Sequence, residues 1–536
     1  MVELYQTHWV LTFLVFAPLV GAAIALAVPA GQAKWVALVT SVVELLVAAP
    51  LFFTFDPAGT CMTVSTVLQP RAVHMQNCSA TPWLEEWGVY YRVGVDGISL
   101  FMILLTAFLL PLMVLGSWSY IQTKERAFYA MLLALTTGVM GVFVATDLFL
   151  FYIFWEIMLI PMYFLIGIWG GKERIYAAVK FFLYTAGGSL LMLVAILYLY
   201  LKFQGLAGTA SFSYYDLLAL PLSPTEQGWL FTAFALAFAV KVPIFPFHTW
   251  LPAAHTQAPT AGSVVLAGLL LKMGIYGFLR FALPLFPIAA TAQATVTIFM
   301  VLGTIGIIYT AMVAAVQSSS KRLVAYTSVA HLGFAMLGVF AFNVQGLQGT
   351  LLLMIAHGVS TPMLFFMLGM LYERRHTYEL EEFGGLATSM PIFACFLVFA
   401  GMSAIGLPGT SGFVPEFLVL VGTVQSSPWI ALIATSGVIL AAYYMLPMMQ
   451  KLIFNGLIRR ENKSVGDLNR REIAILVPLV VVILWLGIYP RPFLDRMEPS
   501  VRNLLEEVTT PRSAPEAALP VGMTVAAAPT PVPTYR

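Results

Sequence analysis

Ionisable side chains set inside otherwise apolar runs are the residues of this chain that can do chemistry. Glu156 stands in FYIFWEIMLIP, Lys241 in AFAVKVPIFPFHTW, Lys272 in LAGLLLKMGIYG and Glu416 in GLPGTSGFVPEFLVL, with His331 and His357 in two further runs. At the centre of a bilayer each charge costs at least ~2.5–3.5 kcal/mol, so it is tolerated only beside a partner, water or a helix end. Two acids and two amines spread over four segments read as a pathway along which protons pass. Histidine, which titrates near pH 6.5 when unperturbed, suits a relay between them. Structural ion pairing is the plain alternative for the four charges, and desolvation often cancels the attraction in such a pair. For the histidines the alternative is ordinary helix contact. Lys180, about one turn inside its run, reads equally as a path residue or a structural one. Arg280 lies near the end of its run and is expected to snorkel to the surface. The seven histidines show no metal-ligand spacing, and His248 and His255 only flank a loop.

Elements that can hold such groups follow from composition. Of 536 residues, 60% are hydrophobic and 10% charged, against roughly 25% charged in an ordinary soluble protein. That balance excludes a soluble enzyme, a disordered chain and a nucleic-acid binder, and the net charge of +2 says nothing about partners. Three cysteines cannot build a disulfide scaffold or an iron–sulfur site, and there is no CxxC, GxGxxG or Walker-type loop. The start, MVELYQTHW, lacks the features of a removable signal peptide, so the first apolar run is expected to remain as a span. A crossing helix needs about 20 apolar residues. Fourteen candidates meet this, at 8–29, 33–55, 95–117, 127–146, 148–170, 176–202, 228–250, 259–286, 291–316, 322–343, 347–372, 389–424, 428–453 and 472–490.

Two of these spans are broken. Pro243 and Pro246 have no amide hydrogen, so the carbonyls of Ala239 and Val242 lose their helical donors. Gly406, Pro408, Gly409, Gly412 and Pro415 interrupt order just before Glu416. Unwound backbone at membrane depth is allowed only inside protein or beside a hydrated cavity, which predicts water near Lys241 and Glu416. Paired interrupted spans in two halves of a chain mark inverted repeats. The fold expected is an all-α polytopic membrane protein of about 14 transmembrane helices, with two inverted five-helix repeats and two broken helices. Its divisions are 1–93 (two spans and an outward loop), 94–126 (span 3), 127–286 (first unit), 291–453 (second, inverted unit), 454–508 (loop, span 14 and a short surface helix near 497–508) and a disordered Pro/Ala-rich tail, 509–536.

Alternate connections hold fifteen Lys and Arg against three (Arg71, Arg92 and Lys202). Basic loops favour the cytoplasm, which puts both termini on the periplasmic side. Lys321 is counted among the fifteen as a loop charge. Cys61 and Cys78 fall in the outward loop, where they form a disulfide or remain two free thiols. Cys395 is expected to pack within its span.

Longer stretches carry a specific resemblance. Residues 154–189 (FWEIMLIPMYFLIGIWGGKERIYAAVKFFLYTAGGS), 241–281 (KVPIFPFHTWLPAAHTQAPTAGSVVLAGLLLKMGIYGFLRF), 318–334 (SSSKRLVAYTSVAHLGF) and 406–417 (GLPGTSGFVPEF) resemble the antiporter-like subunit M (chain 4) family of NADH-quinone oxidoreductase, respiratory complex I. The resemblance covers roughly residues 90–490. It implies that Glu156 is the essential acid of span 5, Lys241 the lysine of the broken span 7, Lys272 the central lysine of span 8 and Glu416 the terminal acid of the broken span 12. His331 and His357 link centre to second unit. The chain departs from the family pattern at Ala253 and at Ser319-Ser320-Lys321, both near span ends. The resemblance further implies a multi-pass protein of a bacterial inner membrane, beside other membrane subunits and lipid. NADH, FMN, iron–sulfur clusters and quinone would be held by partners, with no cofactor or metal on this chain.

The energetics are feasible. Moving one charge against ~180 mV costs about 4 kcal/mol, and a Glu–Lys contact at ~4 Å is worth about 4 kcal/mol at an effective dielectric of 20. Opening a Glu156–Lys241 contact is expected to release the lysine proton towards Lys272, the histidines and Glu416, and closing it to favour recapture. Three alternatives stay open: a subunit of a sodium/proton antiporter, the equivalent subunit of a ferredoxin-driven complex, and a structural scaffold.

Overall fold

The computed structural model describes residues 9–63, 71–457 and 459–510. Among them, eleven helices are long and apolar enough to cross a membrane, and Leu100–Gly116, Pro391–Ile405 and Phe413–Ser426 are shorter apolar helices. With Pro224–Lys241 starting the broken seventh span and the last two short helices sharing the twelfth, the architecture agrees with fourteen crossings. We label the helices α1 (Trp9–Ala27), α2 (Ala30–Ala48), α3 (Leu100–Gly116), α4 (Glu125–Val144), α5 (Leu148–Trp169), α6 (Arg174–Ala207), α7 (Pro224–Lys241), α8 (Trp250–Gln257), α9 (Thr260–Leu285), α10 (Gln293–Ala315), α11 (Ser320–Phe340), α12 (Val344–Arg375), α13 (Pro391–Ile405), α14 (Phe413–Ser426), α15 (Pro428–Met449), α16 (Arg470–Ile488) and α17 (Arg491–Thr509).

Burial separates an axis from a wall. The apolar windows of α9 and α12 are wholly buried and that of α11 is 94% buried, whereas those of α2, α6, α15 and α16 are under 40% buried. Exposed Leu183, Val194 and Leu201 on α6 and Ile439 and Tyr443 on α15 present an apolar wall, as lipid contact requires. The axis is therefore made of the three helices that carry Lys272, His331 and His357.

Helix limits follow from local chemistry. Ser223 and Glu226 form a reciprocal cap before α7, with Pro224 in its first turn. Asp147 caps α5 by accepting from the N–H groups of Phe149 and Leu150, both at 3.0 Å. Asn469 and Glu472 cap α16 in the same reciprocal way. Between α2 and α3 the chain is not helical: β1 (Cys61–Thr63) pairs antiparallel with β2 (Arg71–Val73), and β3 (Gln76–Leu84) with β4 (Val89–Val95). Hydropathy alone could not show these ladders, because β1 and β2 are only three residues each and β3 and β4 are mixed in polarity. Cys61 and Cys78 are joined in a disulfide that ties β1 to β3.

Several expectations need correction. Arg280 does not snorkel: it is 6% exposed and pairs with Asp96 at 2.5 Å, at the foot of β4. Lys321 is not a loop charge; it lies in the first turn of α11, 3% exposed. Cys395 faces outward from the bundle instead of packing inside it, because Phe393 and Ala394 take the inner face of α13. The surface helix is longer than expected, α17, and buries the stripe Phe493, Met497, Val501, Leu504 and Val508. The tail beyond residue 510 lies outside the described residues.

Removing one member of a buried ion pair leaves a charge stranded. Arg280→Met should therefore lower stability by about 3–5 kcal/mol. Arg280→Met with Asp96→Leu should recover most of that loss, measured as the fraction of chain retained after heating membranes.

Candidate proton-transfer site

α9 places the central amine. Its helix widens into π turns at Leu266–Leu270 and Phe278–Ala282, on either side of the α-helical turns around Lys272. Single π turns displace the ordinary backbone ladder. The Ala267 carbonyl, within the first, accepts from Lys272 Nζ. The same nitrogen meets His357 Nδ1 of α12 at 2.7 Å. His357 and His331 of α11 have ring centroids 5.8 Å apart, and His331 Nδ1 lies 2.7 Å from Glu416 Oε1. Lys272, His357, His331 and Glu416 thus form one buried row across α9, α12, α11 and α14. Among the described residues, His357 Nε2 is buried without a hydrogen-bond partner.

The break in the twelfth span shapes the end of that row. α13 ends at Gly406, which has φ +88°, a conformation that favours glycine. The Leu407 N–H turns back to the Met402 carbonyl at 3.0 Å. Glu416 enters in the first turn of α14, 5% exposed, and a Cβ on Gly406 would stand 3.5 Å from its Oε2. The carboxyl is therefore seated in the hollow left by the break.

At the other break, α7 ends on Lys241. The Ala239 carbonyl, deprived of a donor by Pro243, accepts from the Ile244 N–H at 2.8 Å, and Trp250 Nε1 donates to the Val240 carbonyl at 2.8 Å. The expected loss of donors is thus partly repaired by the unwound segment and the start of α8. Lys241 is 1% exposed. Its Nζ stands 3.6 Å from Met158 Sδ and lies over the rings of Trp155 (5.4 Å) and Phe181 (5.5 Å). Cation–π contact of this kind holds an amine without neutralising it.

Glu156 and Lys241 do not close an ion pair in this conformation, contrary to the contact expected at ~4 Å. Glu156 lies within electrostatic reach of Lys241 and faces the Tyr152 hydroxyl, and among the described residues its Oε1 is buried without a partner. Lys241 and Lys272 are not hydrogen-bonded either. They sit on helices in backbone contact, since a Cβ on Gly274 would stand 2.7 Å from Val242 Cγ2 and 2.8 Å from the Phe238 carbonyl. Lys180 stays apart from the row, half-buried, with Nζ 5.5 Å from the centre of the Tyr176 ring.

Other groups escaped the sequence reading. Glu44, in the run SVVELLVAA, is fully buried on α2 with both oxygens unpartnered among the described residues, and an ionisable residue in an apolar run was signal enough to find it. Lys321 donates to the Ala258 carbonyl at 2.6 Å and lies over the Tyr378 ring at 4.9 Å. His255 is fully buried, with both ring nitrogens unpartnered among the described residues. Spacing carries no signal for these two, because what they meet (the Ala258 carbonyl and Tyr378 ring for Lys321, the Phe365 ring for His255) comes from segments distant in sequence.

The chain is similar to proteins of known assembly. The family model described as NADH:quinone oxidoreductase/Mrp antiporter, TM, matches residues 145–441, and that described as NADH-ubiquinone oxidoreductase chain 4, amino terminus, matches residues 38–141. A protein named NADH-quinone oxidoreductase subunit M from Rhodobacter capsulatus is 45% identical over 514 residues, covering 92% of this chain and 96% of that protein. A chain in the structure of respiratory complex I from Thermus thermophilus with bound NADH superposes with a TM-score of 0.82 at 33% identity, covering 93% of this chain and 99% of that one. A chain of the Mrp complex from Dietzia sp. DQ12-45-1b superposes with a TM-score of 0.79 at 21% identity, over 93% of this chain and 98% of that one, a likeness of fold.

The positive φ angles of Gly406 (+88°) and Gly409 (+90°) give a local test. A left-handed conformation costs an L residue about 1–2 kcal/mol. Gly406→Ala and Gly409→Ala should each open the α13–α14 break sooner on heating, seen as earlier protease cleavage there.

Proposed function

The chain belongs to the NADH:quinone oxidoreductase/Mrp antiporter family of membrane subunits, and on that premise we propose how its buried row works. It is a proton-translocating membrane subunit of an NADH-quinone oxidoreductase, the membrane part of a complex whose electron transfer drives pumping. The reading proposed is that Lys272, His357, His331 and Glu416 are the proton path, with Lys241 its feeder and Glu156 the acid that biases Lys241. The observation that carries it is the pair of 2.7 Å contacts, Lys272–His357 and His331–Glu416, joined by two imidazole rings. Each imidazole would accept a proton on one nitrogen and release one from the other, with a water bridging the two rings, whose centroids stand 5.8 Å apart without a direct hydrogen bond.

In this reading the Glu156–Lys241 distance is the variable. The open arrangement leaves Lys241 held by aromatic rings and a thioether. Approach of Glu156 would add about 4 kcal/mol of attraction at ~4 Å and an effective dielectric of 20, comparable to the cost of moving one charge against ~180 mV. Movement of α5 relative to α7, driven from a neighbouring membrane subunit, would switch Lys241 between holding and releasing its proton. Lys180 has no part in the path as read; it stands beside the inward end of α6.

NADH, FMN, iron–sulfur clusters and quinone would bind the partner subunits, and this chain would contribute proton transfer alone. The face carrying Arg374, Arg375 and Arg471 would lie in the cytoplasm of a bacterial cell and the disulfide-tied hairpin in the periplasm, as the bias in basic loops favours.

Lys272→Met and Glu416→Gln in the assembled complex should each lower NADH-driven proton pumping at least tenfold, with the complex still assembled. Lys241→Met and Glu156→Gln should lower it severalfold, and Lys180→Met should leave more than half. Pumping at full stoichiometry in Lys272→Met or Glu416→Gln would contradict the path.

A further inference from the structure

On the basic side of the molecule, α2 starts in a cluster of one cation and two indoles. Lys34 Nζ lies over the Trp118 ring at 5.0 Å, and Trp35 meets the same ring edge-on, with centroids 4.8 Å apart. Trp118 follows the end of α3, so the cluster joins the start of α2 to the end of α3. Cation–π contact holds the ammonium without neutralising it. Among the described residues Lys34 forms no ion pair. The residue after Trp118 shows the contrast. Ser119 accepts from Arg471 at 2.9 Å and donates to Glu373 at 2.8 Å, so Arg471 has an acid across one hydroxyl while Lys34 has none at ion-pair distance.

Away from the cluster, the outer face of this span (Ala30–Thr54) is apolar and bulky. Trp35, Val39, Val43, Leu46 and Phe53 are exposed, and their spacing puts them on one side of the helix. At 1.5 Å per residue, Trp35 and Phe53 stand about 27 Å apart, close to the ~30 Å hydrocarbon core of a bilayer. Small residues take the opposite side. Ala33, Ala37 and Ala48 are buried, and a Cβ on Gly21 of α1 would stand 2.6 Å from Thr40 Oγ1. Helices that meet within a membrane do so through small residues. The inner side of α2 is therefore its helix contact, and the outer side has the bulk that suits acyl chains.

We propose that the Lys34–Trp35–Trp118 cluster is a binding site for an anionic phospholipid in the leaflet on the basic side. The phosphate sits on the Lys34 ammonium. The two indoles lie at headgroup level, where tryptophans of membrane proteins gather, and an acyl chain runs along Val39, Val43 and Leu46. Charge selects the class of lipid. An ammonium with no acid of its own favours a headgroup of net negative charge over a zwitterionic one, whose own ammonium repels it. A helix of a neighbouring subunit is the poorer occupant, because it would meet bulky side chains where such contacts use small ones. The bound lipid closes the joint between α2 and α3 from outside, a role separate from the proton path.

A photo-crosslink in the whole complex tests the site. Val39, one turn along from Trp35, is replaced by p-benzoylphenylalanine, and the assembled complex is placed in nanodiscs of equal phosphatidylglycerol and phosphatidylcholine. After irradiation, mass spectrometry of the peptide carrying residue 39 counts the adducts of each lipid. Phosphatidylglycerol adducts should exceed phosphatidylcholine adducts about fivefold, the preference that one lysine at a charged headgroup confers. Lys34→Gln should bring the ratio close to one, and Lys34→Arg should keep it. The same crosslinker at Ile439, on the exposed wall of α15, should also give a ratio close to one. Equal adducts at residue 39 with Lys34 present, a ratio unchanged by Lys34→Gln, the same preference at Ile439, or attachment to another protein chain in place of lipid would each overturn the site.

Discussion

A charge in a dry interior must find a partner, and the arrangement of this chain follows from that requirement. Lys272 sits on a wholly buried helix, where an unmatched amine would be prohibitively costly. It is satisfied by a carbonyl of its own π turn and by an imidazole from α12. That imidazole stands beside a second one, which is held by Glu416. The contacts that make these buried groups tolerable are also the ones the proposed path would use, so in that reading one set of groups serves stability and transport together.

The two helix breaks do different work at the two ends of this set. The Gly406–Gly412 break opens a hollow in which the Glu416 carboxyl meets His331. The Pro243 break halts α7 at Lys241 and leaves the amine against Trp155, Phe181 and Met158, where polarizable surfaces hold it without an anion. One end is thus a closed hydrogen bond and the other a buried amine outside any ion pair with an acid nearby. In the proposed path that asymmetry would give direction, because the unpaired end is the one whose energy would change if Glu156 approached.

Much of this was legible in residue types. Glu156, Lys241, Lys272, His331, His357 and Glu416 stand out because ionisable groups are rare in apolar runs, and prolines and glycines announce the breaks. Distances were not legible. Nothing in the sequence distinguishes the 2.7 Å contact of Lys272 with His357 from the absence of an ion pair between Glu156 and Lys241, since each depends on how far separate helices approach. Arg280 and Lys321 were misplaced for a related reason. Closeness to a span end predicts snorkelling only when no buried partner waits, and Asp96 and the Ala258 carbonyl are supplied by segments far away in sequence. Glu44 was legible by the same rule as the others and was passed over. The β ladders were hidden by the mixed polarity of their strands.

The gap between Lys241 and Lys272 is where continuity of the row is most exposed to test, for there Phe238 and Val242 pack close to Gly274 and no polar contact joins the two amines. A cryo-electron microscopy map of the assembled complex, resolved well enough to place ordered waters, measures it directly. The account predicts a file of water molecules linking the Lys241 amine to Lys272, with the Lys272–His357–His331–Glu416 contacts intact. A dry, closely packed interval between the two lysines in every state of turnover would contradict it.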